Sequence, residues 1–192
     1  AGKLLQKKDN AGAKAMWPQI KASIMNDDDR YEAGLFAYNV GRDTTDTALQ
    51  NEGLDLMIAS PATPADLRKS AAMQRGQMAY NAKQYDVAEK YLRQAYDAGY
   101  RGSNVELLLS NSFVLRGNHA EALNWIQKGI DNSRAAGAVP DKQWFAQAMS
   151  YAGKTKDKAK ISYWGKELIK ADPRGATYHD TLFNFLFVNQ AF

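Results

Sequence analysis

The chain has 192 residues, 45% of them hydrophobic and 24% charged, with a formal net charge of +4 and no cysteine. That length supports one domain with a real core or one short solenoid, and the lack of cysteine excludes disulfides, thiolate metal sites and a cysteine nucleophile. No apolar run approaches the ~18 residues that span a bilayer, and the opening AGKLLQKKDN has no signal-peptide core, so any export signal is expected to have been removed.

Residues 3–8 read as the end of a helix. A second helix through Ala13, Met16, Trp17, Ile20 and Ile24 contains Pro18, which predicts a kink or a helix start there. The run Asn26-Asp27-Asp28-Asp29 lacks the glycine and glutamate that a calcium loop needs at its sixth and twelfth positions, so it is read as a helix cap. Residues 41–45 read as a turn, with Asp46 or Thr45 capping a helix that carries Ala48, Leu49, Leu54, Met57 and Ile58. Two prolines make residues 60–64 a loop, with Thr63 as cap and Pro64 in the first turn of the next helix.

Two helical hairpins follow. The first pairs a helix over 65–81 with one over 86–98, closed by Gly99 as a left-handed terminator. In the second, Ser103 caps a helix running to Leu115, Gly117-Asn118 makes the turn, and a helix covers 119–134. The hairpins echo each other 34 residues apart: Gly76 recurs as Ser110, Ala79 as Phe113, Tyr85 as His119 and Ala88 as Ala122. Tyr91 likewise recurs as Trp125, Leu92 as Ile126 and Ala95 as Gly129. Such a period of small and large residues marks a helix–turn–helix repeat that stacks into a solenoid.

After a linker at 135–141, helices are expected at 143–152 and about 155–171, ended by Asp172-Pro173. Residues 177–192 carry Tyr178, Leu182, Phe185 and Leu186 on one stripe and Phe183, Phe187 and Phe192 elsewhere. A terminal repeat should present a polar outer face, so this stretch is expected to meet a further helix of a longer repeat protein, or a second copy of the chain through 178–192.

The pattern at 70–130 resembles the tetratricopeptide repeat (TPR), a 34-residue antiparallel helix pair. Gly76, Tyr85, Ala88, Leu92 and Ala95, then Ser110, Phe113, Ala122 and Ile126, stand at positions that match its motif. Ala72 and Glu106 replace a usually large residue, Arg75 occupies a usually buried site, and Gly129 stands where alanine is usual. Residues 76–86 and 94–100 also resemble a group of exported bacterial TPR proteins. The resemblance implies an all-α fold, a right-handed α-α superhelix of about five helical hairpins. One solenoid domain over 1–192 is expected, best formed at 70–102 and 103–134, in a periplasmic or otherwise exported location, with the cytoplasm as the alternative.

Chemistry is sparse. His119 and His179 lie 60 residues apart with no metal-ligand spacing, no phosphate-binding or dinucleotide glycine loop occurs, and carboxylates are scattered. No catalytic residue, cofactor or metal is expected. The resemblance instead implies a concave groove lined by the first helix of each pair: Met73, Gln77, Tyr80 and Asn81, then Asn104, Leu107 and Asn111, with Ser70, Val114 and Leu115 beside them. Amides donate and accept at once, which suits a peptide backbone. Chaperone-binding TPRs clamp a terminal carboxylate with Lys and Asn; Met73 with Gln77 and Leu107 with Asn111 lack the cation. The expected function is a non-catalytic protein-interaction scaffold holding a peptide or protein segment. Alternatives are self-assembly through the aromatic end and polyanion binding through 154–170, where Lys154, Lys156, Lys158, Lys160, Lys166 and Lys170 concentrate the positive charge. Nucleic acid is not expected as partner, nor a membrane span.

Overall fold

The computed structural model describes residues 9–101 and 104–173, and every regular element among them is an α-helix. The expectations for residues 3–8, for Ser103, for His179 and for the aromatic stretch 177–192 lie outside the described residues. The chain divides into two compact units, Ala1–Val105 and Glu106–Phe192.

The first unit opens with two short helices, α1 (Asn10–Ala15) and α2 (Trp17–Ala22). Pro18 sits at the start of α2, where its missing N–H has no intrahelical partner to lose. The long helix α3 (Asp27–Asp43) follows. Asn26 caps it by accepting the Asp29 N–H at 2.8 Å, and Asp27, Asp28 and Asp29 fill its first turn, as the cap reading expects. Asp46 caps α4 (Thr47–Ala59) through the Leu49 N–H at 3.0 Å. Ala13, Trp17, Ala33, Ala37, Val40 and Leu49 form the core beneath.

Gly41 corrects the sequence reading. It lies inside α3 rather than in a turn, because the pair α3–α4 uses glycine for close approach and not for chain reversal. A Cβ on Gly41 would stand 2.6 Å from the Gln50 backbone nitrogen, and one on Gly53 only 2.3 Å from that of Tyr38. The reversal is made by Thr44 to Asp46, with Thr45 at φ 54°.

Pro64, not Thr63, occupies the cap position of α5 (Ala65–Asn81), and it makes no side-chain cap bond. Thr63 is buried, only 2% exposed. The loop is held instead by buried Ser60, whose hydroxyl donates to the Asp27 carbonyl at 2.5 Å and accepts the Ala62 N–H at 3.2 Å. The helix α6 (Tyr85–Asp97) returns along α5, with Leu92 against Gly76, and Gly99 terminates it at φ 85°.

In the second unit, α7 (Val105–Leu115) pairs with α8 (His119–Ala135), and α9 (Lys142–Thr155) with α10 (Lys158–Ala171). Gly117 turns the first pair at φ 77°, and Asn118 caps α8 through the Glu121 N–H at 3.1 Å. Thr155 ends α9 rather than beginning α10. Lys156 adopts the left-handed conformation at φ 57°, and Asp157 then caps α10 through the Lys160 N–H at 3.1 Å. Phe145, Ala148, Ile161, Trp164 and Leu168 pack between these helices. Phe145 and Trp164 meet at 6.5 Å between centroids.

Candidate interaction surface

On α5, Met73, Gln77 and Asn81 follow one another at intervals of four and therefore share a face. The row climbs outward: Met73 is 7% exposed and packs within the unit, whereas Gln77 and Asn81 are exposed. Tyr80 is half-buried beside them, its ring fixed edge-on against Tyr85 at 5.7 Å and 63°. Gln74, one residue along from Met73, donates to the Tyr38 hydroxyl at 2.6 Å and so joins α5 to α3. The result is two exposed primary amides flanking a braced phenol.

The equivalent row on α7 is Leu107 and Asn111, both half-buried, continued by Leu115, which is 55% exposed. The Asn111 Oδ1 accepts from the Tyr151 hydroxyl of α9 at 3.5 Å. Asn104 is exposed but stands before the helix with φ 79°, outside the register that carries Leu107 and Asn111. Sequence reasoning missed Tyr151. Its signal was present, since Asn111 and Tyr151 are 40 residues apart, as are Leu107 and Gln147, but the lengthened linker hid an interval so unlike 34.

Three of the four departures from the repeat pattern find a structural reason. Glu106 is buried, 6% exposed, and accepts from the Asn132 amide at 2.7 Å. Gly129 makes room for the Trp144 ring, which would lie 2.7 Å from a Cβ. The Arg75 side chain donates from Nε to Asp55 at 3.1 Å, and its guanidinium lies 5.0 Å from the centre of the Tyr91 ring. Burial, with Asp55 as hydrogen-bond partner, pushes the Tyr91 hydroxyl up to about 12. His119, at the start of α8, stacks on Tyr151 at 6.4 Å and 27°. Among the described residues no group of three or more His, Asp or Glu could hold a metal ion.

An open depression of about 430 Å³ in the second unit is lined by Arg134, Val139, Phe145, Glu167 and Lys170, among others. Glu167 is 9% exposed and bonds to Lys170 at 2.8 Å and to Arg134 at 2.7 Å. Those two cations hold its carboxyl below the ordinary value of 4.5, against the opposing effect of burial.

No protein-family model matches the chain, and no curated protein matches it. A solved structure does: PilW, described as a widely conserved type IV pilus biogenesis factor, is similar with a TM-score of 0.54. The likeness covers 93% of this chain and 78% of PilW at 16% identity. The fold is a TPR-like helical solenoid. Adjacent helices pair within each unit as that fold requires. At 16% identity the likeness concerns the fold alone. No helix among the described residues is long and apolar enough to cross a membrane.

Proposed function

We propose that the protein is a non-catalytic interaction scaffold that binds an extended peptide or protein segment through the first helix of its hairpins. The observation that carries this reading is the exposed amide row Gln77–Asn81 beside the braced ring of Tyr80. Primary amides match the donor–acceptor alternation of an extended backbone, and a tyrosine already fixed by a neighbour loses little rotamer entropy on binding. Leu107 and Asn111 offer a smaller version of the same chemistry in the second unit. An envelope location, the periplasm, is the compartment we assign. The likeness to a pilus biogenesis factor and the absence of cysteine support it.

A random peptide library displayed on phage and selected against the purified chain tests the reading. For a selected peptide, Tyr80→Ala with Asn81→Ala, or Leu107→Ala with Asn111→Ala, should weaken binding about tenfold, or about 1.4 kcal/mol, by calorimetry. Undiminished affinity in both double variants would move the site away from these faces.

A further inference from the structure

Both hairpin turns of the second unit lie at one end of it. His119, the first residue of α8, stacks on Tyr151 near the end of α9. Leu123 and Asn124 of α8 share a depression with Ala159 and Lys160 of α10, so these two helices begin side by side. That end carries Arg116, Lys154, Lys156, Lys158 and Lys160, all exposed. Among the described residues its carboxylates are Glu121 and Asp157, and Asp157 is engaged as the α10 cap and at 3.7 Å from the Lys160 ammonium. At the opposite end the charges balance: Arg134, Lys142 and Lys170 stand among Asp141, Glu167 and Asp172, with Arg134 and Lys170 bonded to Glu167 and Lys142 at 3.3 Å from Asp172. Among the described residues of this unit the excess positive charge is therefore concentrated where the turns are.

Two further features say what such an end fits. Lys158 and Lys160, two residues apart on α10, do not share a helix face, and Lys156 stands in a left-handed turn between α9 and α10, so the cations are spread over this end. Lysine acts as a hydrated point charge, suited to a smeared layer of negative charge. Leu115, 55% exposed, precedes Arg116 at this same end and sets an apolar side chain beside the cations, which a lipid acyl boundary can take up and a nucleic-acid backbone cannot.

We propose that this end of the second unit docks peripherally on an anionic lipid surface, its lysines in the headgroup layer and Leu115 at the acyl boundary. This goes beyond the peptide-binding reading and does not depend on it. The test is co-sedimentation of the whole chain with vesicles of phosphatidylglycerol and phosphatidylcholine, and with phosphatidylcholine alone. Binding is expected on the mixed vesicles only, falling at least about tenfold as salt rises from about 0.1 M to about 1 M. The variant Lys154→Gln/Lys156→Asn/Lys158→Gln/Lys160→Gln should lose at least about tenfold in binding. The milder pair Lys154→Gln/Lys158→Gln, which spares the turn conformation, should lose at least about threefold. Lys142→Gln, at the other end, should change nothing. Equal binding to uncharged vesicles, no binding to the mixed ones, undiminished binding by the pair, or a preference for duplex DNA or an acidic polypeptide at the same ionic strength would each overturn the proposal.

Discussion

Glu167 shows how a single residue of this fold converts charge into stability. Its carboxyl is nearly buried yet stays ionised more readily than usual, because Lys170 and Arg134 both donate to it. A group whose folded-state value is lowered contributes stability that is present above the unfolded value and lost as pH falls through the folded one. The chain should therefore lose stability partly through this site as pH falls below the ordinary carboxylate value of 4.5. Glu167→Gln should cost roughly 1–2 kcal/mol at neutral pH in urea titrations and should flatten that acid decline. An undiminished acid slope in the variant would assign the loss to other carboxylates. Several residues of this kind were visible in the sequence only as anomalies. Arg75 and Glu106 broke the repeat pattern, and their reasons, Asp55 with Tyr91 and Asn132, come from neighbouring helices rather than from the repeat itself. A one-dimensional motif holds no record of such partners.

At the scale of elements, hairpins were legible and their boundaries were less so. Small residues at Gly76, Ala88, Ala122 and Ser110 did mark helix contacts, with Ser110 donating to the Ala122 carbonyl at 2.8 Å. Gly41 misled because glycine serves turns and close approach alike, and only the facing backbone distinguishes them. The same ambiguity yields a paired expectation. Gly53→Ala would force a Cβ against the Tyr38 backbone nitrogen and should destabilise the chain by about 3 kcal/mol, since backbone cannot step aside as a flexible side chain does. Gly153→Ala, within α9 and facing open space, should stabilise it by up to about 1 kcal/mol through helix propensity alone. Urea denaturation of the two variants checks both signs. A neutral Gly53→Ala would show that α3 and α4 do not approach as closely as described.

At the scale of the molecule, composition pointed away from chemistry and the 34-residue echo pointed toward a repeat fold, which the likeness to PilW then matched over most of the chain. The candidate surface was legible in part. Gln77, Tyr80, Asn81, Leu107 and Asn111 stand where solvent reaches them, while Met73 is buried and Asn104 precedes its helix. Those last two depend on how far each helix rotates and where it begins, which a repeat register fixes only to within a residue or so. The decisive measurement is amide chemical-shift mapping of the chain with a library-selected peptide. A peptide-binding scaffold of the kind proposed should show its largest shifts at Gln77, Tyr80 and Asn81 of α5 or at Leu107 and Asn111 of α7. Shifts confined to α6, α8 and α10, with those residues unmoved, would contradict it.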